Sequence, residues 1–308
     1  MSKSAAARTF LAFQYNAKLH TLATVVTAIR PFDSLEEPSR GLFKSVLTND
    51  ANNDHVVVVT EKTIFHPQGG GQPSDVGTMT STTVASTSST STNTSTNTST
   101  NTSTSSSPKE AKFDEAKFDV MAVRMDAVAD GQVLHLGRFR SPGSRFAVGE
   151  MVEQAIDTDK RLLYSRLHTA GHVLGAAVRH LLEREIPGFD ELKASHFPDS
   201  AACEFQGLIE GKWKEPIQKK VDEYVAKAMP VEVDWWSEDD FAANGLERLL
   251  PANMALAPGE KFRVVKIVGA EVYPCGGTHV DTTDLCGKTN VRKISRAKGT
   301  SRVSYSVT

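Results

Sequence analysis

The first half of the chain alternates short apolar runs with breaker residues, which is the pattern of strands. Runs rich in β-branched residues extend from Leu19 to Ile29, His55 to Thr60, Phe118 to Met125 and Gln132 to Leu136. Gly, Pro and Asp separate these runs and favour turns between them. Several short strands in succession predict a small barrel or a similar β-rich module.

The second half changes to helical periodicity. Apolar side chains recur at helical spacing from Asp159 to Glu185, and Pro187 and Gly188 follow as stop signals. A second helix is predicted from about Glu215 to Met229. Further strands are predicted at ASHF and AACEFQG, and at Val231 to Trp236, Lys261 to Gly269, Val291 to Arg296 and Arg302 to Val307.

This order of elements predicts an α+β fold in two domains. Residues 1–155 would form a β-rich, barrel-like N-terminal domain, and residues 156–308 an α+β domain with a largely antiparallel sheet. A length of 308 residues fits two domains. From about Thr80 to Pro108 the chain is almost pure Ser, Thr and Asn, has almost nothing to bury, and is predicted to be a disordered insert.

Composition narrows the class of protein. No apolar run reaches the ~20 residues that span a bilayer, so no membrane association is expected. Three scattered cysteines indicate a reducing compartment rather than a disulfide framework. We expect a cytoplasmic monomer. The acid-free, basic N-terminus faintly resembles a mitochondrial transit peptide, but Leu19 to Ile29 is better interpreted as a strand.

Charge is nearly balanced overall, with a formal net charge of -2, but it is uneven locally. Six basic residues and no acidic residue follow Leu285: Lys288, Arg292, Lys293, Arg296, Lys298 and Arg302. Such a cluster is compatible with phosphate contact. A solvated face of a terminal hairpin explains it equally well.

Candidate metal chemistry comes from two distant segments. His168 and His172 are four residues apart on the long predicted helix, so both imidazoles share one face. Alone, this pair is equally typical of an amphipathic helix. Cys275 and His279 add a thiol and an imidazole on a glycine-rich segment, CGGTH. One Cys and three His suit tetrahedral zinc, and this histidine-rich set is more typical of a catalytic than of a structural site.

A third segment, IFHPQGGGQPSDVG, places three glycines between prolines. Its bare backbone N–H groups could approach phosphate or ribose oxygens closely. Because the GK[ST] ending of a nucleotide P-loop is missing, an ATP site is not expected. A tight connection between strands remains the alternative.

Taken together, FHPQGGGQPSDVG, RLHTAGH and CGGTHV resemble the AlaX family, which comprises free-standing relatives of the editing domain of alanyl-tRNA synthetase. The resemblance extends from about residue 8 to residue 308, apart from the insert. The GGGQP element distinguishes this group from the editing domain of threonyl-tRNA synthetase.

The resemblance implies a zinc-dependent hydrolase that deacylates tRNA(Ala) mischarged with serine, or in some cases glycine. It implies zinc ligands at His168, His172, Cys275 and His279. Catalytic-pocket residues would be Thr169, Gly276, Gly277 and Thr278. The glycine-rich element facing the tRNA end would comprise Gly69, Gly70, Gly71 and Gln72.

Three positions depart from the family pattern. The family usually has tyrosine and glutamate where this chain has His66 and Gln68, and the synthetase editing domain typically has threonine at the position of Gly171. These changes leave the ligand set intact but bear on the choice between serine and glycine.

Alternative functions remain open at this point. One is deacylation of another tRNA, such as Ser-tRNA(Thr), and another is a tRNA-binding module with a structural zinc. A metalloprotease is excluded because HTAGH has Thr169 where HExxH requires glutamate. His196 is more typical of a structural histidine than of a substrate contact, and Cys203 and Cys286 are predicted to be small buried apolar groups.

Overall fold

A computed structural model describes residues 7–48, 54–82, 115–141, 143–250 and 259–308. Most of the insert predicted to be disordered, from residue 83 onward, lies outside the described residues. At its start that prediction is wrong, because Thr80 and Ser81 belong to a strand. The backbone of Thr80 is paired with Lys117 on one side and Glu153 on the other, and these ladders keep it ordered without apolar side chains.

The first half forms a closed six-stranded barrel. The strands of this half are β1 (Phe10–Leu11), β2 (Thr21–Pro31), β3 (Val56–Thr60), β4 (Lys62–Thr63), β5 (Gly77–Ser81), β6 (Lys117–Met125), β7 (Val133–Phe139) and β8 (Met151–Ile156). The barrel has the order β2-β3-β7-β6-β5-β8, and its neighbouring strands are antiparallel throughout.

Strand β3 is buried on both faces, which explains why its sequence is continuously apolar. Val56 and Val58 pack into one hydrophobic cluster with the barrel interior, whereas Val57 and Val59 pack into a second cluster with Phe43. A strand buried on both faces has no polar alternation, and the run HVVVVT has none.

The helices are α1 (Ala12–Tyr15), α2 (Glu37–Gly41), α3 (Lys44–Leu47), α4 (Thr158–Leu182), α5 (Lys214–Ala226) and α6 (Glu238–Ala243). Helix α4 begins at an N-cap, Asp157, whose side chain accepts the N–H of Lys160 at 3.0 Å. Short 3₁₀ turns lie at Phe32–Ser34, Gly211–Trp213, Glu247–Leu249 and Thr283–Cys286.

The second half contains two antiparallel sheets. Their strands are β9 (Asp190–Ser195), β10 (Ala202–Gln206), β11 (Val231–Trp236), β12 (Phe262–Ile267), β13 (Glu271–Pro274), β14 (Thr289–Ala297) and β15 (Thr300–Val307). The first sheet has the order β14-β15-β10-β9 and the second β11-β12-β13. Helices α4 and α5 share one core with the first sheet, to which Phe205 and Val303 contribute.

The mixed α and β fold, the barrel and the antiparallel sheets agree with the sequence prediction. The domain boundary at 155/156 stays a prediction, although the last barrel strand ends at Ile156 and α4 begins two residues later. In the described part of the chain, no helix has both the length and the apolar character required to cross a membrane.

Candidate metal centre

Helix α4 presents two imidazoles to one point. His168 and His172 are one helical turn apart, and their ring centroids lie 4.9 Å from each other. His168 is 1% exposed, at the level of the helix where it packs against the other elements of the site. His168 is therefore inside the protein, whereas His172, one turn further along the same helix, is half-buried.

The segment after β13 brings the thiol and the third imidazole to the same point. Cys275 Sγ lies 3.4 Å from His168 Nε2 and 3.3 Å from His279 Nε2. One ligand atom from each of His168, His172, Cys275 and His279 lies within 4.8 Å of the others. A Cβ at Gly277 would lie 2.3 Å from the His168 ring, so only glycine lets the segment pass. The fold thus brings together the four residues predicted as ligands, here termed the metal cluster.

Gln72 fixes the tautomer of His168. Its Oε1 must face the backbone N–H of Thr278, an obligate donor 3.0 Å away, while its Nε2 donates to Thr278 Oγ1 at 2.9 Å. The same Oε1 lies 2.7 Å from His168 Nδ1, which must therefore carry a proton and donate it. The lone pair of His168 is left on Nε2, the nitrogen that faces Cys275.

Thr169 fixes the tautomer of His279. Its hydroxyl donates its only hydrogen to the Ser165 carbonyl at 2.9 Å and accepts the N–H of Val280 at 3.2 Å. Toward His279 Nδ1, 3.2 Å away, Thr169 Oγ1 can then only accept. His279 therefore also directs the lone pair of Nε2 at Cys275.

Counting protons tests whether these residues fit a metal. Two imidazole lone pairs face Cys275 Sγ, and a thiol has one hydrogen to donate, so one buried acceptor would lack a donor at a cost of about 1–3 kcal/mol. Among the described residues, buried His172 Nδ1 has no partner either. A divalent cation bound by the thiolate and these lone pairs removes the need for the missing donor, and tetrahedral zinc separates S and N ligand atoms by about 3.6 Å. The residues fit zinc.

Burial sets the protonation of the metal cluster. Desolvation, reinforced by the neighbouring histidines, holds the pKa of His168 well below its usual value of 6.5. Desolvation likewise lowers the pKa of His279 and brings that of His172 to about 3. Desolvation raises the pKa of the Cys275 thiol. The imidazoles are neutral, as ligands must be, and a bound cation would favour the thiolate.

The glycine-rich segment forms a tight turn that positions Gln72. Gly69 and Gln72 exchange two backbone hydrogen bonds, and Gly70 and Gly71 between them have φ of +55° and +79°. A Cβ on Gly71 would lie 2.5 Å from the carbonyl oxygen of Ala194, so the turn closes on β9 only with glycine there. The turn is both a tight connection and the support of the metal cluster.

A cleft of about 560 Å³ opens beside the metal cluster, between α4, β9 and β13. Of the predicted pocket residues, Gly276 lines this cleft and Gly277 lies against His168. Thr169 and Thr278 are fully buried and not among its lining residues. The residues of the cleft wall nearest the metal cluster are Gly70, Gly71, His168, Gly171, His172, His196, Tyr273, Cys275 and Gly276.

His196 also lines the cleft, but it is not on a strand as predicted. Strand β9 ends at Ser195, and the His196 N–H donates to the Gly71 carbonyl at 2.8 Å. Its Nδ1 lies 2.6 Å from the Tyr305 hydroxyl, which donates to the Leu167 carbonyl. His196 Nδ1 must therefore donate, so Nε2 is an acceptor.

Gly171 and His196 fit each other. A Cβ on Gly171 would lie 2.3 Å from the His196 ring, so threonine at this position would require that ring to move. This explains the departure at Gly171 as half of a packed pair, which no spacing rule could predict.

Two arginines that sequence analysis missed hold the site together. Arg161 on α4 is 3% exposed and pairs with Asp75, which follows the glycine turn. Arg263 on β12 donates to the carbonyls of Cys275 and, at 3.0 Å, Gln14. Asp75 lies in the GGGQPSD motif, which is the sequence signal that could have indicated its pairing with Arg161. Cys203 and Cys286 are buried as predicted.

Comparison with known proteins agrees with the motifs. The family described as "Threonyl and Alanyl tRNA synthetase second additional domain" matches residues 262–304, which include Cys275 and His279. Over 253 residues the chain is 27% identical to the alanyl-tRNA editing protein AlaX-L of Pyrococcus horikoshii, covering 82% of this chain and 51% of that protein.

Alanine–tRNA ligases match as well. The enzyme of Methanobrevibacter smithii is 28% identical over 262 residues, covering 85% of this chain and 24% of the ligase. That of Methanosarcina mazei is 26% identical over 275 residues. The chain spans about half the length of AlaX-L and about a quarter of the length of the ligases. These matches agree with the resemblance to the AlaX family and to the editing region of alanyl-tRNA synthetases that the three motifs indicate.

Proposed function

We propose that this protein is a zinc-dependent deacylase that hydrolyses tRNA(Ala) mischarged with serine, and also with glycine. The observation that carries the proposal is the convergence of His168, His172, Cys275 and His279 beside an open cleft. The matched relatives are named for alanyl-tRNA editing or alanine–tRNA ligation, which supports tRNA(Ala) as the partner. In this proposal residues 1–155 form the barrel domain and residues 156–308 the editing domain.

Zinc bound by these four residues would supply Lewis-acid chemistry for hydrolysis of the ester that joins the amino acid to the terminal ribose. The chain's own contribution is positioning. Gln72 and Thr169 hold the Nδ1 protons of His168 and His279, so both Nε2 lone pairs face the metal cluster. Gly276 leaves the cleft wall without a side chain, which makes room for the terminal adenosine.

In this proposal the glycine turn has two roles, one toward the RNA and one toward the metal cluster. Its residues are Gly69, Gly70, Gly71 and Gln72. Gly70 and Gly71 line the cleft and can approach the RNA end closely. Gln72 is fully buried and acts on the ligands rather than on the RNA. The four residues therefore join the substrate end to the metal cluster.

Selection of serine requires a polar group at the cleft, because a hydroxyl left unpaired there would weaken binding. Thr169 and Thr278 are fully buried, and their hydroxyls are hydrogen-bonded inside the protein, so neither reaches the cleft. His196 has an acceptor nitrogen and lines the cleft. We assign it as the partner of the serine hydroxyl.

A panel of four substrates tests the function. Ser-tRNA(Ala), Gly-tRNA(Ala), Ala-tRNA(Ala) and Ser-tRNA(Thr) are incubated with the zinc-loaded protein, and release of the amino acid is measured. We expect rapid release of serine from tRNA(Ala), slower release of glycine, and no release of alanine. Release from Ser-tRNA(Thr) alone would replace the proposed substrate, and release from none of the four would point to a binding module.

A further inference from the structure

The basic end of the chain folds into a hairpin that projects from the first sheet. Strands β14 and β15 are joined by the two residues Lys298 and Gly299, with φ of +50° and +82°. Two central residues with positive φ form the type I′ turn that matches strand twist. Asn is the favoured first residue of this turn, and a lysine there is strained.

Five basic side chains on this hairpin and in the segment just before it are exposed to solvent: Lys288, Arg292, Lys293, Arg296 and Lys298. Within the described ranges, no carboxylate lies at ion-pairing distance from any of them. By contrast Arg302 on β15 pairs with Glu204 at 3.6 Å. No acidic residue follows Asp284 in the sequence. The hairpin therefore carries uncompensated positive charge.

The hairpin belongs to the same sheet as the cleft wall. In the order β14-β15-β10-β9, residues of β9 and β10 line the cleft, and β14 is the opposite edge. Three strand spacings place β14 about 14 Å from β9. At that distance the edge lies within reach of a nucleic acid whose 3′ end occupies the cleft.

The orientation of the strands exposes Lys293, whereas Arg296, which is paired with Ser301 on the same face as Val303, is exposed near the turn. Val303 and Tyr305 of β15 point into the core that α4 and α5 share with the sheet. Lys293 is paired with Ser304, which has the opposite side-chain direction. None of the exposed large apolar side chains lies between residues 288 and 302, which disfavours a lipid surface.

We propose that the β14–β15 hairpin, with Arg292, Lys293, Arg296 and Lys298, is a phosphate-binding surface for the backbone of the tRNA whose end enters the cleft. The inference rests on the proposed function for the identity of the RNA. Charges on an edge strand also prevent edge-to-edge pairing. That role does not require lysine at the strained turn position, where asparagine would be better.

Salt dependence of RNA binding tests the surface. We would titrate uncharged tRNA(Ala) against the zinc-loaded wild type and the triple variant Lys293→Gln/Arg296→Gln/Lys298→Asn, from about 50 to 200 mM salt. Loss of three phosphate contacts should make the slope of log K against log salt shallower by about two to three. Affinity at about 100 mM salt should fall at least ~10-fold. Asparagine retains the turn, so a fold defect is not expected.

The matched control is Lys44→Gln/Lys62→Gln, which removes exposed lysines from the barrel half. It should leave the salt slope unchanged. An unchanged slope in the triple variant would overturn the proposal, as would retained tRNA binding together with lost binding to anionic phospholipid vesicles.

A second readout separates this proposal from the proposed function. Serine esterified to adenosine alone has no RNA backbone, so wild type and triple variant should hydrolyse it equally. If neither protein hydrolyses it or Ser-tRNA(Ala), the deacylase assignment fails, while the salt slope still decides whether the hairpin binds RNA. A selective loss with the adenosine ester would contradict a backbone-binding role.

Discussion

At the scale of single residues, the site depends on which nitrogen of each histidine carries the proton. Gln72 accepts from His168 Nδ1, and Thr169 accepts from His279 Nδ1. Each acceptor is fixed by a backbone N–H, of Thr278 and Val280 respectively. The orientation of the His168 and His279 rings is therefore set by the backbone at Thr278 and Val280, before any metal binds.

Replacement of Gln72 tests this positioning. Gln72→Ala removes the acceptor of His168 Nδ1, so we expect zinc affinity to fall about 10- to 100-fold, the usual effect of losing such a support. Competition with a chromophoric chelator measures it. Gln68→Ala, in the same segment but exposed, is the matched control and should bind zinc as the wild type does. Equal affinities in both variants would contradict the role of Gln72.

The assignment of His196 to the serine hydroxyl is testable by comparing two substrates. His196→Phe keeps a ring in the cleft wall but removes the acceptor nitrogen. We expect kcat/KM for Ser-tRNA(Ala) to fall at least ~10-fold, and that for Gly-tRNA(Ala), which lacks the hydroxyl, to change little. An equal loss for both substrates would show that His196 only supports the fold of the site.

How much of the site could be predicted depended on sequence distance. His168 and His172 share a helix, and Cys275 and His279 share a loop, so local spacing identified all four. Gln72 was named only as part of a glycine element facing the RNA. Its contact with Thr278 crosses 206 residues of sequence and leaves no periodic signal. Gly171 was noted as a departure, but its reason lies in the His196 ring.

At the scale of elements, the glycine turn is fixed to α4 by a buried ion pair. Arg161 and Asp75 have side chains 3% and 1% exposed, and Arg161 also donates to the carbonyl of Ala17 at 2.9 Å. Removing one partner of a buried pair leaves the other charge without compensation. This pair joins the glycine turn of the barrel half to the helix that carries His168 and His172.

Asp75→Ala should therefore lower the free energy of unfolding by about 3–5 kcal/mol. Unfolding in urea measures it. The double variant Asp75→Ala/Arg161→Met should recover part of the loss, because no uncompensated charge remains. Asp119→Ala breaks an ion pair with Arg140 in which both side chains are about half exposed, and it should leave the midpoint nearly unchanged. A small effect of Asp75→Ala would contradict the account.

Prediction of elements succeeded where periodicity is strong. The long helix, predicted from Asp159 to Glu185, is observed as Thr158–Leu182. Strands β5 and β8 were missed for different reasons. Strand β5 has one buried apolar residue, Met79, and β8 places a polar side chain, Gln154, inside the barrel, where it is hydrogen-bonded to the backbone of Ile64. Both strands are held by pairing with their neighbours in the closed barrel, a long-range property that the local sequence does not indicate.

At the scale of the whole molecule, buried histidines couple stability to pH. Desolvation lowers the pKa of His135 in the barrel, and that of His66 beside the glycine turn, to about 4 each. In the unfolded chain both titrate near 6.5. Between about pH 4 and 6.5 the unfolded state binds more protons than the folded state. The free energy of unfolding therefore decreases as the pH falls from about 6.5 to 4, and above about pH 6.5 these two histidines no longer make it depend on pH.

His135→Gln isolates one such group. Its ring bonds the Val58 carbonyl and the Thr63 hydroxyl, at 2.9 and 2.8 Å, and glutamine offers one donor and one acceptor for the same partners. The variant should show a pH dependence of unfolding free energy shallower by about 1.4 kcal/mol per pH unit around pH 5. Urea titrations at several pH values provide the slope. Equal slopes of unfolding free energy against pH in wild type and His135→Gln would show that His135 does not take up a proton on unfolding.

Zinc content and serine release from Ser-tRNA(Ala), determined on the same preparations of wild type and Cys275→Ala, test directly whether the protein is a zinc-dependent deacylase. We expect about one zinc ion per wild-type chain, loss of turnover on chelation and recovery on adding zinc back. Cys275→Ala should stay folded but lose tight zinc binding and turnover together. A zinc-free Cys275→Ala protein that releases serine at the wild-type rate would contradict zinc-dependent deacylation.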